Sequence, residues 1–593
     1  MRRTLSAAPL GLLIVPAAVY LAAFYVFPII QTLRVSLGSQ SAWVSFMDIL
    51  ASRSTWIVFR QTFEMAFVVT AISLVLAYPV AYLLVHLPER KQRFILLLVL
   101  LPYWISTLVR SYAWIALLGR KGVVNSILIG TGIVTEPLEL IYNRLGATIG
   151  MVNVVAPMMI LILYAAFARI DTSLTRIGSV LGGRPLFVFG RIWLPLSMPG
   201  VWSGCILVFL ISLGVFTTPA ILGGATEMSV AMAIEQQVGT LLDLPAAAAL
   251  STLLLVVAFS LVLATQRFWV PALLGQSAES PRHAPRVPEG GTIFDRLERM
   301  TNRYVRPTRR LGPQSQPNAR RYWQIQRSRP RLVLWLVSGA ALAYLLVPVI
   351  VVIALSFSSA DFLQFPPRGV SLRWFRNFFG KPEWVGAAGR SFLVAVITTA
   401  IATLLGMAAA YGIERGRMRN KRAAYVLLLS PLVVPPTILA FGLYSIYASL
   451  GWIGSLTALA AAHVVIVLPF VFVIITQGIR SVDPTIEFAA SSLGGKPAYV
   501  FRRITLPLLR AATVSGALLA FLTLFDELIV ALFLASPRNA TLPKRMWDSV
   551  RFEIDPTNAA AATLLIGLSV VIVSATLLSE ARRRRVVQSL VSK

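Results

Sequence analysis

Two adjacent carboxylates, Asp526 and Glu527, stand inside the apolar run VSGALLAFLTLFDELIVALFLA. An acid at the centre of a membrane span costs ~2.5–3.5 kcal/mol, so such a group borders a cavity or pairs with a partner. On a continuous helix, neighbouring side chains point about 100° apart, so both acids can border one cavity without pointing the same way. Counted from Arg510 at the inner surface, Asp526 lies ~24 Å along the span, towards the outer side, where it can meet a cation delivered from outside. The competing reading is a structural ion pair, with Arg110 on another apolar stretch as the basic partner. Arg110 is flanked by Tyr103, Trp104, Tyr112 and Trp114. Aromatic faces attract ammonium groups by ~0.5–2 kcal/mol, but Trp and Tyr also form the ordinary belts at membrane surfaces. Both readings of these rings stay open. The position 312 residues before Asp526 is Gly214, so an acidic lining would be one-sided.

Other chemistry is not indicated. No G-x-x-x-x-G-K-[ST] phosphate loop occurs, and the nearest run, Gly494-Gly495-Lys496-Pro497, lacks both the glycine spacing and the hydroxyl for a magnesium ion. No catalytic residues are assigned, and no cofactor is expected on this chain. The single cysteine, Cys205, excludes an internal disulfide framework, and His86, His283 and His463 are too scattered to suggest a metal site.

The elements that must position these residues are membrane spans. Hydrophobic residues make up 57% of the 593 residues and charged ones 13%, against roughly 25% charged in soluble domains. The net charge of +30 falls mainly in loops and tails, as positive-inside topology requires, so nucleic acid is not the expected partner. Twelve apolar runs approach the ~20 residues that a bilayer demands. Six lie near 9–30, 62–87, 94–118, 148–170, 199–223 and 246–270. Six more lie near 331–356, 390–413, 424–448, 455–478, 510–535 and 559–579. The first run, at about 22 residues, exceeds the apolar region of a signal peptide and reads as a true span. The class is therefore all-α and polytopic. Placing both termini in the cytoplasm puts the basic clusters His86–Arg93, Glu414–Arg422 and Arg582–Arg585 there as well. A first half over 1–270 and a second over 331–593 are joined by a Pro- and Arg-rich stretch, 271–330, read as a cytoplasmic linker, the alternative being an ordered Arg-rich contact to a partner or to lipid headgroups.

One stretch occurs twice. Asp171–Leu196 reads DTSLTRIGSVLGGRPLFVFGRIWLPL, and 312 residues later Asp483–Leu508 reads DPTIEFAASSLGGKPAYVFRRITLPL, with 13 of 26 positions identical and no gap. Each copy is polar and is expected to form a cytoplasmic loop, about 171–198 and 480–508, ending at Leu-Pro before the next span. A short helix near 172–181 or 484–493 would stop at a glycine pair that permits a left-handed residue.

The spacing from Gly182 to Ile192, Leu194 and Pro195, and from Gly494 to Ile504, Leu506 and Pro507, resembles the cytoplasmic loop of ABC importer permeases. The fuller family pattern is Glu-Ala-Ala, three residues, Gly, nine residues, Ile-x-Leu-Pro. LPYWISTLVRSYAWIALLG and SLGVFTTPAILGG resemble the first permease subunit of spermidine/putrescine-type importers, and LLSPLVVPPTILAFGL and FLTLFDELIVALFLASPRNATLPKRMWDSVRFEIDP the second. The chain looks like both subunits fused. The resemblance implies two six-helix repeats of the type I ABC importer permease fold in a bacterial inner membrane, moving a small organic solute, a polyamine above all, by alternating access. It also implies a separate dimeric ATPase that binds ATP and Mg, docked on both loops, and a soluble substrate-binding protein outside. The second loop carries Glu487, Ala489 and Ala490, one acid short of the paired family form. The first carries Arg176, Ile177 and Gly178, so with Asp171, Gly183, Asp483 and Gly495 the two docking elements are present but unequal. The alternative is a twelve-span secondary transporter of the major-facilitator type. Its repeat identity would lie in the loop after the second span, where this chain has only HLPERKQR.

Overall fold

The computed structural model describes residues 8–273 and 317–572, apart from 39, 104, 225, 361–364, 366, 368 and 553–555, together with 574. The Pro-rich part of the expected linker and the tail Arg582–Arg585 lie outside the described residues.

Besides the short helices Gln40–Ala51 and Val123–Gly130, the first half has α1 (Leu12–Leu37), α2 (Arg53–Val85), α3 (Glu89–Tyr103), α4 (Thr107–Leu118), α5 (Arg144–Phe167), α6 (Ser173–Val180), α7 (Pro185–Leu213), α8 (Thr217–Leu222), α9 (Val230–Gly239) and α10 (Leu244–Leu273). The second repeats it in order: α11 (Pro317–Ser356), α12 (Pro382–Arg415), α13 (Lys421–Leu432), α14 (Pro436–Leu450), α15 (Leu456–Ser481), α16 (Pro484–Ser492), α17 (Pro497–Leu524), α18 (Ile529–Leu534), α19 (Leu542–Phe552) and α20 (Thr557–Ile572). The internal repeat therefore extends from one loop to these ten helices of each half.

In each half three long helices form the frame: α2 with α5 and α7, and α12 with α15 and α17. The first helix of each half crosses to the other. α1 lies against α12, α13 and α14, and α11 against α2, α3 and α4. Small residues permit the close approach. A Cβ on Gly442 of α14 would sit 2.7 Å from the Pro28 carbonyl oxygen and 2.9 Å from Thr32 Oγ1. Polar groups pin the same crossings, Tyr20 donating to the Ala461 carbonyl at 2.7 Å and Asn153 Nδ2 to the Tyr344 carbonyl at 3.0 Å. Inside a membrane such bonds satisfy groups that lipid cannot.

Several boundaries differ from those expected. Among the described residues ten helices are long and apolar enough to span. The ninth expected span is instead the pair α13 and α14, bent by 91°, and α20 is a shorter apolar helix. The bend has a local cause: Pro435 and Pro436 cannot continue the ladder of α13, but their fixed φ suits the start of α14. The third span is likewise divided at Tyr103–Thr107. Residues 317–330, expected as linker, open the 40-residue helix α11. The loops are also shorter than 171–198 and 480–508, because α7 begins at Pro185 and α17 at Pro497. The Leu-Pro pairs thus stand inside helices. Each follows a π-helical turn, Phe189–Trp193 or Phe501–Thr505, whose irregular hydrogen bonding makes room for a residue without an N–H.

Candidate functional site: two exposed loop helices and a cavity between the halves

The repeated loops fold alike. Gly182 has φ 87° and Gly494 φ 91°, the left-handed region that glycine adopts at no steric cost. The paired bonds Gly183 N–H to Gly178 O (3.0 Å) with Gly182 N–H to Ser179 O (3.2 Å) recur as Gly495 N–H to Ala490 O (3.1 Å) with Gly494 N–H to Ser491 O (3.1 Å). This double closure is a Schellman motif. The second glycine of each pair is needed for space, since a Cβ on Gly183 would meet the Gly178 carbonyl at 2.7 Å and one on Gly495 the Ala490 carbonyl at 2.8 Å. At the other end, Asp171 and Asp483 accept from the backbone N–H of Ser173 (2.8 Å) and Thr485 (2.9 Å). Those backbone bonds hold both carboxyls below the ordinary range.

Each loop presents apolar side chains outwards: Ile177, Val180 and Leu181 in the first, Ile486, Phe488 and Leu493 in the second, with Leu181 82% and Leu493 90% exposed. Arg176 and Ala489 are exposed, Ala490, Ile192 and Ile504 half-buried. Ile192 lies beneath α6, where a Cβ on Gly178 would meet its Cδ1 at 2.6 Å. Of the Leu-Pro pairs, Leu194 is half-buried, while Pro195, Leu506 and Pro507 are exposed.

The anchoring of the two helices differs. Glu487, 8% exposed, accepts from Arg415 Nε at 3.0 Å and from Thr505 Oγ1 at 2.9 Å. Arg415 also donates to the Ile479 and Val482 carbonyls at 3.2 and 2.9 Å, tying α16 to the ends of α12 and α15. In the first half the counterpart of Glu487 is Thr175, which donates to Thr172 O at 2.8 Å, and that of Thr505 is Trp193. Trp193 is buried among rings, edge-on to Tyr82 at 4.9 Å and Phe167 at 5.6 Å, with His86 at 5.2 Å. One copy is held by an ion pair, whereas the other packs its Gly178 face on Ile192 and Val188. The sequence pattern alone does not single out Arg415, Thr505, Trp193 or His86 for these roles.

Between the halves lies a cavity of about 340 Å³, bordered by Thr107, Arg110, Gly214, Pro435, Asp526 and Glu527 among others. Met158, Leu207, Ile211, Val433, Ile466 and Phe470 supply an apolar wall. The expected continuous eleventh span ends at Leu524 and resumes as α18 at Ile529, so the two acids occupy a break, and the 100° helical argument does not apply to them. Asp526 accepts from Thr107 N–H at 2.6 Å and from Thr107 Oγ1 at 2.9 Å, both on α4 of the other half. Arg110 Nη2 donates to the same Thr107 hydroxyl at 3.2 Å. Glu527 accepts from the N–H of Val530 (2.9 Å) and Ala531 (3.3 Å) at the start of α18, and His463 Nε2 lies 2.9 Å from its Oε2. Of the rings near Arg110, Tyr112 and Trp114 are buried and do not border the cavity, Trp114 packing on Tyr344 of α11 at 5.5 Å. Trp104 and the side chain of Tyr103 lie outside the described residues.

Two halves built of apolar spans that enclose a mainly apolar cavity with three charged groups, each half carrying a short exposed loop helix, make the frame of a membrane conduit. The family described as binding-protein-dependent transport system inner membrane component matches residues 402–588. The spermidine/putrescine transport system permease protein PotB of Escherichia coli K12 is 33% identical over 200 residues, 34% of this chain and 73% of that protein. The putrescine transport system permease protein PotI of the same organism is 34% identical over 251 residues, 41% of this chain and 88% of that one. A chain from the crystal structure of a bacterial alginate ABC transporter, in complex with an alginate pentasaccharide-bound periplasmic protein, is 18% identical. It covers 43% of this chain and 91% of its own length, at a TM-score of 0.37. The chain belongs to the binding-protein-dependent transport system inner membrane component family. It is a multi-pass inner-membrane permease of an ABC importer, and the major-facilitator alternative is set aside.

Proposed function

We propose that this permease carries both membrane subunits of an importer in one chain and moves a polyamine or similar small organic cation into the cytoplasm. The observation that carries the substrate reading is the cavity. Its charged lining groups are Asp526, Glu527 and Arg110, so carboxylates outnumber cations, while the apolar wall suits methylene chains. Its volume lies within the ~300–1,000 Å³ of ordinary ligand pockets. PotB and PotI, by name spermidine/putrescine and putrescine permeases, support the same substrate class.

The two docking helices would each seat one subunit of an ABC ATPase dimer on the cytoplasmic side, with ATP and Mg bound there. A substrate-binding protein would deliver the solute from outside, and both termini would be cytoplasmic. The exposed apolar tips at Leu181 and Leu493 support a protein partner, since such side chains are left uncovered at a cost unless something docks on them. The test is uptake of radiolabelled putrescine and spermidine into vesicles holding the complete importer. Asp526→Asn keeps the shape of the side chain and removes its charge, so uptake should fall at least tenfold while assembly with the ATPase persists. Undiminished uptake by the folded variant would remove the acidic path.

A further inference from the structure

The duplication places two equivalent crossings at the cavity, and they have opposite chemistry. In each half the chain leaves a long helix, α7 or α17, and meets the N-terminus of a helix in the other half. At one crossing Asp526 meets the start of α4; at the other Gly214, its counterpart by the 312-residue offset, meets the start of α14. The two receiving helices begin alike, with Ser106 at φ −48°, ψ 134° before Thr107 and Pro435 at φ −52°, ψ 133° before Pro436.

The partners match in kind. Thr107 offers an N–H and a hydroxyl, and the carboxylate of Asp526 takes both, at 2.6 and 2.9 Å. Pro435 and Pro436 have no N–H to offer. The residue facing them has no side chain, and a Cβ there would stand 3.0 Å from Pro435 Cβ and 3.3 Å from Pro436 Cδ. One crossing is a charge-assisted cap on a helix N-terminus, strengthened by Arg110 one turn along the same helix; the other is a close apolar contact.

We propose that Asp526 is a latch between the halves, which must leave its cap on α4 when the halves part, and that Gly214 against Pro435 and Pro436 is the uncharged pivot of the same motion. This rests on reading the cavity as the path of alternating access. Bonds of this kind are strong away from water and depend on direction, so a shift of α4 relative to α17 by even an ångström or two would break them. The apolar contact has no such threshold. A cation that entered the cavity and competed for the Asp526 carboxylate would release the cap, which connects occupancy to opening.

Two variants test this in the complete complex of this chain with its ATPase, in lipid nanodiscs. Asp526→Asn removes the charge that holds the cap. Thr107→Pro removes both donors while keeping a residue suited to the first helical position, as Pro436 does in the other half. ATP hydrolysis is measured without binding protein and without substrate, beside the melting temperature of each complex. Both variants should raise this basal hydrolysis by about tenfold, the factor for one charge-assisted hydrogen bond at the low end of its range. Basal rates within twofold of wild type in either folded variant would overturn the latch. So would the failure of both variants to assemble, which would make the contact a structural strut. Putrescine and spermidine uptake is read separately: if the wild-type complex carries neither and both variants still show the raised basal rate, the polyamine reading falls and the latch stands.

Discussion

Replacing Glu487 by Ala should loosen the second loop helix, α16, far more than any equivalent change loosens the first, α6. The Glu487 and Arg415 side chains are 11% and 13% exposed, so solvent screens their ion pair little. Breaking a buried pair costs ~3–5 kcal/mol when the remaining charge is stranded. Arg415 is not wholly stranded, because the Ile479 and Val482 carbonyls still accept from it, and Thr505 loses a single bond from a hydroxyl that is free to turn to another acceptor. The expected loss is therefore smaller, ~2–3 kcal/mol, which corresponds to a rise of about 30- to 150-fold in the local opening of α16. Thr175→Ala in α6 deletes one bond to Thr172 O and should raise opening there by only about two- to fivefold, for ~0.5–1 kcal/mol. Amide hydrogen exchange over 173–183 and 484–495 reads both quantities in one molecule. Acceleration of 484–495 by less than tenfold in Glu487→Ala, or equal acceleration in the two variants, would refute the claim that an ion pair anchors one helix and packing the other.

The purified chain alone should show no ATP hydrolysis, because it has no phosphate loop; turnover above background from the chain free of any partner would contradict that. Gly442→Ala should lower the melting temperature of the purified chain, because the new methyl would stand 2.7 Å from the Pro28 backbone, which cannot turn aside. Gly567→Ala, where nothing lies within 4 Å, should leave melting unchanged or raise it, and equal effects at the two sites would count against the close α1–α14 crossing.

The sequence exposes those features that depend on local chemistry or on repetition. The glycine pairs are legible as helix stops because left-handed φ is a property of single residues, and Gly182 and Gly494 adopt it. The acids are legible because charge stands out in an apolar run. Their partners are not: Thr107 is 419 residues from Asp526, and Arg415 is 72 from Glu487. Nothing in the local pattern around Arg415 separates it from the other basic residues of the Glu414–Arg422 cluster, which positive-inside topology already explains. The break before α18 is hidden for a different reason, since the two acids of LFDELIVALFLA have apolar runs on both sides and no Gly or Pro marks a stop. One missed signal was available, for Pro435-Pro436 is a plain helix start that divides the ninth span.

Duplicated halves begin with identical contacts, so each departure from symmetry records a change that its neighbours accommodated. In this chain the departures come in matched sets. Where Glu487 has Arg415 and Thr505 as partners, Thr175 bonds to Thr172 O instead, and the counterpart of Thr505 is Trp193, a ring packed on Tyr82. Where Asp526 faces two donors on Thr107, Gly214 faces two prolines that donate nothing. A carboxylate opposite Pro435 and Pro436 would be left without that cap, and a glycine opposite Thr107 would leave an N–H and a hydroxyl unmet at the edge of the cavity; either costs ~1–3 kcal/mol or more. The matched sets therefore fix each half to its own role. The second half holds the ion pair under its loop helix and both acids at the cavity, while the first half answers with Arg110 on α4, so the carboxylates of this permease are concentrated on one side of its pseudo-symmetry and their cation at the cavity on the other.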